Sequence, residues 1–189
     1  MPVARRIVRQ ATETRGAFKN AAALALIAEP GPEGARARRE LGEEILRERT
    51  QIYISDGLVL GYRYDPSPIV WADGTPAPAE SVSEYVPTAR PGSRAPHAWF
   101  APGQSTIDLF GNGFVLLALG PAPPETAGFA AAAAKRHLPL RIDELGDPAI
   151  AALYESKLAL VRPDGHVAWR GDSAPQDPLA VIDLVRGAA

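Results

Sequence analysis

The sequence predicts an α/β fold: a central mixed sheet flanked by helices, preceded by an amino-terminal helical segment and a proline-rich extended linker. Three observations carry this. Phe114 to Leu119 (FVLLAL) is an unbroken apolar run, the pattern of a strand buried on both faces. Asp147-Pro148 and Asp177-Pro178 each set a capping carboxylate directly ahead of a proline, which marks a helix start. Pro163-Asp164-Gly165 separates two strand-like runs with the chemistry of a tight hairpin turn.

The elements follow in three zones. Residues 1–55 are helical in character. Val3, Ile7, Ala11 and Phe18 recur near helical spacing, and the apolar run Ala21 to Ala28 continues them. Glu29-Pro30-Gly31-Pro32 ends that helix, because proline cannot continue it and disfavours helical geometry just before itself. A second helix is predicted from Glu33 to Ile54, with Leu41, Ile45 and Ile52 on one face and Glu43–Arg47 as an i,i+4 pair. The charges Arg36, Arg38, Arg39, Glu40 and Glu44 form a solvated face.

Residues 56–92 are irregular. Val59 to Tyr64 (VLGYRY) alternates like a strand, and Ile69-Val70-Trp71 reads as a short extended piece closed by a turn at Asp73-Gly74. Prolines 66, 68, 76, 78, 87 and 91 keep the rest extended, as a linker wrapping over a surface.

Residues 93–189 have the rhythm of an α/β domain. A hairpin over His97 to Leu109 opens it, followed by the strand Phe114–Leu119. A helix over Thr126 to His137 and a strand over Leu138 to Ile142 come next. The helix capped by Asp147 runs through Ile150, Leu153 and Tyr154. Strands at Lys157–Arg162 and His166–Arg170 form a hairpin, and the helix capped by Asp177 carries Leu179, Ile182 and Val185 on its apolar stripe. Strand, helix, strand, helix, hairpin, helix is the order of a thioredoxin-like domain, and the opening hairpin is an addition of the peroxiredoxin-like type.

Composition narrows the function classes. The net charge of -2 supplies no broad basic field, so nucleic acid is not an expected partner. With no cysteine, the chain can hold no zinc–thiolate site, iron–sulfur cluster or thiol redox centre, and cannot work as a thioredoxin or peroxiredoxin. The same absence fits a reducing, cytoplasmic compartment. Arg-rich residues before the Ala21–Ala28 run imitate a signal peptide, but Glu13, Arg15, Lys19 and Asn20 intervene and the run is short and alanine-heavy. No stretch approaches the ~20 apolar residues of a membrane span, so no membrane partner is expected.

Two segments resemble a known family. Arg90 to Leu119 reads RPGSRAPHAWFAPGQSTIDLFGNGFVLLAL, and Leu160 to Arg170 reads LVRPDGHVAWR. Both are similar to the carboxy-terminal domain of class A FAD-dependent aromatic hydroxylases, the group containing phenol hydroxylase and the polyketide hydroxylases. Leu60 to Pro68 (LGYRYDPSP) resembles the strand preceding that domain, and Pro2 to Arg9 (PVARRIVR) the helix closing the flavin-binding part. The resemblance implies a parent enzyme that binds FAD, takes hydride from NADH or NADPH and hydroxylates a phenolic ring. It also implies partners: the FAD-binding domain of that enzyme and, in some branches, a second copy in a homodimer. Met1 is then expected to stand where the flavin part ends, leaving Met1 to Ala28 without its packing partner. A second reading is a stand-alone binding or scaffold protein that partners a separately encoded flavin subunit.

No residue here can be given the flavin's role. The dinucleotide fingerprint GxGxxG needs a third glycine and a following helix, whereas Gly111-Asn112-Gly113 leads into a strand. A redox centre would sit at Gly120-Pro121-Ala122-Pro123-Pro124-Glu125, which holds neither thiol nor hydroxyl. Redox inertness follows. His97, His137 and His166 lack metal-ligand spacing. His97 suits an interface hydrogen bond or a backbone-satisfied core position, His137 a helix end, and His166 an exposed hairpin. Asp108, Asp143 and Glu144 suit turns or surface, and Ser105 and Thr106 lack a GxSxG context. No catalytic, cofactor-binding or metal residue is assigned. The candidate interface is Arg90, Arg94, His97, Trp99, Arg162, Trp169 and Arg170: aromatics flanked by arginines that would pair across a surface covered by the flavin domain. Most of the larger aromatics, with Trp71, Phe100, Phe110 and Tyr62, are expected in the core.

Overall fold

A computed structural model describes residues 21–188. The expected helix over Val3 to Phe18, and the segment Pro2 to Arg9, lie outside them. The described chain forms two compact units, one of residues up to Leu60 with Glu80–Tyr85, the other of Gly61–Ala79 with Val86 onward.

In the first unit, helices α1 (Ala21–Ala28) and α2 (Pro32–Tyr53) pack as a pair. The guanidinium of Arg38 donates to the carbonyls of Ile27 (2.7 Å) and Glu29 (3.1 Å), satisfying acceptors that α1 leaves open at its end. Gly34 lies against the carbonyls of Glu29 and Leu26, where any Cβ would collide. Leu41 and Ile45 are half-buried on the expected face. Ile52 and Arg47 have side chains outside the description. Arg36 and Glu40 make an i,i+4 pair at 3.7 Å.

A short helix α3 (Asp56–Val59) follows, with Leu58 buried and its N–H donating to the carbonyls of Ser55 and Val82. Val59–Tyr64 is therefore not a strand. Val59 ends α3, the chain turns at Leu60 and bends at Gly61, and the run beyond pairs in no ladder; Tyr64 donates to the Gly92 carbonyl at 2.9 Å. Ile69-Val70-Trp71 is also not extended. Val70 donates to the Ser67 carbonyl, so the chain turns there before Trp71 reaches Ala168.

The second unit is built on β3 (Phe114–Leu119), β4 (Leu140–Leu145), β5 (Leu158–Val161) and β6 (Val167–Gly171), preceded by the hairpin β1 (Trp99–Ala101) and β2 (Gln104–Ser105). Sheet order is β4-β3-β5-β6, with β3 parallel to β4 and antiparallel to β5. This is the mixed sheet of the thioredoxin-like order. Leu116 sits opposite Ile142 on one side and Leu160 on the other. Alternate residues of β3 feed two cores. Leu116 and Ala118 pack with Leu160, Trp169, Phe129 of α4 (Ala127–Lys135) and Val181, Ile182 and Val185 of α6 (Pro178–Val185). Val115, Leu117 and Leu119 face Val161, Val167, and Ile150 and Tyr154 of α5 (Pro148–Tyr154). Both faces are covered, as the unbroken apolar run requires.

The caps are those the sequence indicates. Asp147 accepts from the Ala149 N–H (2.8 Å) and Asp177 from that of Ala180 (3.0 Å). The strand expected over Leu138–Ile142 is displaced to Leu140–Leu145, because the Leu138 N–H is taken by the Ala133 carbonyl at the end of α4.

The free side of β6 is occupied. Gly92 donates to the Val167 carbonyl and Val167 returns a bond to Ser93, Ala95 donates to Gly165, and Trp71 to Ala168. Gly92 holds φ +90°, and a Cβ there would lie 2.6 Å from the Tyr64 carbonyl oxygen, so this rung requires glycine.

A clamp joins α4 to α6: Arg136 grips both carboxylate oxygens of Asp183 at 2.7 Å, and Arg186 adds a bond at 2.9 Å. The Arg136 bonds, with those of Arg186, lower the Asp183 pKa to about 2 despite some desolvation. A depressed carboxylate stabilises the fold above its unfolded pKa of ~4, and that stability is lost as pH falls toward 2. Urea unfolding across this range should show wild-type stability falling with acid more steeply than that of Asp183→Asn. Equal slopes would refute the clamp.

Candidate interface residues and the cluster around His166

The interface candidates take part in several separate sets of contacts. Arg90 and Arg170 converge on the loop at Asp73–Thr75. Arg90 pairs with Asp65 at 2.7 Å and donates to the Thr75 carbonyl at 2.8 Å. Arg170, 7% exposed, pairs with Asp73 and Glu155, each at 2.7 Å, and donates to the Tyr154 carbonyl and Thr75 Oγ1. Burial works against the Arg170 charge, but bonds from Glu155 and Asp73 outweigh it and raise its pKa. Desolvation of Asp73 is likewise overcome by bonds from Thr75 and Arg170, and its pKa is lowered. Glu155 reaches this position because it ends α5 at φ +56°.

Arg94 and Arg162 meet around His166. The expectation of an exposed His166 is overturned: it is 1% exposed. Its ring lies 5.0 Å from that of Tyr62 and 4.7 Å from that of Tyr64, and the Arg162 guanidinium sits 5.3 Å from the Tyr64 ring centre. Arg94 bridges His166 through the backbone. Nδ1 lies 3.2 Å from the Asp164 carbonyl, whereas Nε2 is buried with no protein partner, as is Nη1 of Arg162. Asp164 holds Arg162 by two bonds. Desolvation lowers the His166 pKa, and the charges of Arg162 and Arg94 add to the effect, while Asp164 opposes it.

His97 and Trp99 stand apart, edge-on at 5.0 Å, with Trp99 63% exposed. Trp169 is 6% exposed and packs on Phe129 at 5.1 Å inside the core. Asp108 caps the turn Thr106–Leu109 by accepting from the Ser105 N–H (2.7 Å) and hydroxyl (2.8 Å). Thr106 is buried, its hydroxyl donating to the Pro96 carbonyl. Asp143 pairs with Arg141. His137 is exposed just beyond α4. Sequence reasoning missed Asp73, Thr75, Glu155 and Tyr64. The turn signal at Asp73-Gly74 and the two-residue spacing of Tyr62 and Tyr64 were the only local hints.

Chemically these arrangements hold the chain together rather than activate a nucleophile. Gly120–Glu125, between β3 and α4, offers neither thiol nor hydroxyl. Among the described residues no three His, Asp or Glu side chains lie close enough to hold a metal, and no helix is long and apolar enough to cross a membrane. The Gly111–Gly113 turn does not fit a dinucleotide. It enters β3 instead of a helix, and a Cβ at Gly113 would lie 2.9 Å from the Pro139 carbonyl oxygen, so protein already fills that side.

Residues 88–186 match the family model described as aromatic-ring hydroxylase, C-terminal. The chain is 39% identical over 137 residues to tetracenomycin B2 monooxygenase-dioxygenase of Streptomyces olivaceus, covering 66% of this chain and 25% of that protein. It is 36% identical over 179 residues to 2,4-dichlorophenol 6-monooxygenase of Cupriavidus pinatubonensis, covering 83% and 29%. Among solved structures, the rebeccamycin biosynthetic enzyme RebC with reduced flavin superposes with a TM-score of 0.83 at 38% identity, over 100% of this chain and 35% of that one. The chain thus spans about a quarter to a third of the length of these relatives. These matches bear out the resemblance carried by the two long motifs: the chain belongs to the aromatic-ring hydroxylase C-terminal family.

Proposed function

We propose that this chain is the redox-inert structural and interaction module of an FAD-dependent aromatic-ring hydroxylase. The chemistry belongs to a flavin-binding part that uses FAD and NADH or NADPH. The observation that carries this reading is the loop Gly120–Glu125. It occupies the place after the first buried strand where a thioredoxin-like domain would hold its redox group, and it contains three prolines and neither thiol nor hydroxyl. The family's flavin chemistry is the cofactor's own, with protein supplying binding and orientation. This chain's contribution is a rigid scaffold. Arg90, Arg162 and Arg170 are held by internal partners, which leaves the exposed Trp99–His97 hairpin as the candidate contact with the flavin-binding part or with a second copy.

The isolated chain is expected to purify colourless, to retain no FAD on desalting, and to hydroxylate no phenol with NADPH or NADH present. Stoichiometric flavin absorbance, or turnover by the chain unaided, refutes the proposal.

A further inference from the structure

Three segments far apart in sequence meet at one imidazole. The turn at 162–167 carries His166, the 61–65 segment lays Tyr62 and Tyr64 on its ring, and the 92–95 segment bridges it through Arg94. We propose that His166 is a protonation-operated latch: neutral, it docks the 61–65 and 92–95 segments on the hairpin, and charged, it releases them.

The charges around the ring make the two states unequal. From the hairpin come Arg162 and Asp164, from the 92–95 segment Arg94, and from the 61–65 segment the neutral phenols Tyr62 and Tyr64, with Asp65 held by Arg90. Among the described residues the carboxylate paired with His166 is Asp164, which lies 3.6 Å from Nδ1 and is already held by Arg162. A proton on Nε2 would point a charged N–H at no protein acceptor, from an atom that is itself buried from water. The Tyr64 face attracts cations, but the Arg162 guanidinium already lies beside it. Relief comes from opening. Opening breaks the Tyr64–Gly92 bond that ties this segment to the neighbouring rung.

The sign follows from the lowered pKa of the folded state. Docking is fully present above the ordinary value of 6.5 and is lost as pH falls below it. The test is amide exchange, corrected for intrinsic rates, on the full chain at about pH 7.5 and about pH 5, with the ring resonances of His166 followed in parallel. Exchange at Tyr64 and Gly92 should rise about tenfold or more on acidification, with a midpoint that tracks the His166 ring, while β3 stays protected. His166→Phe keeps an aromatic ring there and should abolish the rise. If that variant does not fold, His166→Gln supplies the same comparison with a smaller neutral side chain. Unchanged protection at Tyr64 in wild type while His166 titrates overturns the latch. So does a His166 that stays neutral while the segment opens, or an equal rise in the neutral variants.

Discussion

The double replacement Asp73→Ala/Glu155→Ala is expected to destabilise the protein by about 3–5 kcal/mol, against about 1–2 kcal/mol for Arg170→Met. The inequality comes from where the charges lie. Arg170 has 7% of its side chain exposed, whereas Asp73 and Glu155 retain 21% and 52%. Removing the arginine leaves two carboxylates that water can reach. Removing the carboxylates leaves a buried guanidinium with only the Tyr154 carbonyl and Thr75 Oγ1. The double variant also loses the bonds by which Asp73 orders Thr75 (2.9 Å from its N–H, 2.6 Å from its hydroxyl). Urea unfolding midpoints at fixed m settle the order. If Arg170→Met proves the more damaging, the guanidinium is a net contributor and the argument from burial fails.

The second large effect is Trp169→Ala, expected to cost about 3–5 kcal/mol, a large share of a typical total of about 5–15. The indole leans on Phe129, and a Cβ at Gly171 would lie 2.9 Å from its Cζ2, so its outer side is also closely packed. Truncation leaves a cavity with little freedom to collapse. Trp99→Ala should by contrast stay within about 0.5 kcal/mol of wild type, since the ring is mostly in solvent. Comparable losses for the two would contradict the placement of both rings.

This contrast shows what was legible in the sequence. The elements from Phe114 onward were readable because each rests on local chemistry: an apolar run, a capping aspartate before proline, a Pro-Asp-Gly turn. Trp99 and Trp169 look alike in sequence, each beside alanine in an aromatic-rich motif, and only the sheet register separates them. Trp169 stands opposite Leu160 and so faces α4 and α6. The partners of Arg170 are 97 and 15 residues away, and no local rule connects them. His166 was misplaced for the same reason. A residue after a hairpin turn is ordinarily solvated, and here two distant segments fold over it. The alternation in VLGYRY was real, but it brought two tyrosines to the same imidazole without making that segment a strand.

The segments lying along β6 have one more consequence. A strand at the border of a sheet exposes unpaired backbone groups that can recruit another chain. Here the covering stretch 92–95 is flanked by Pro91 and Pro96, neither of which has an N–H to offer. The covering segments meet the last true strand and its turn by donating from Trp71, Gly92 and Ala95 and by accepting at Ser93. This border is thereby sealed against runaway strand addition, and a seemingly structureless stretch protects the protein from polymerising along that side.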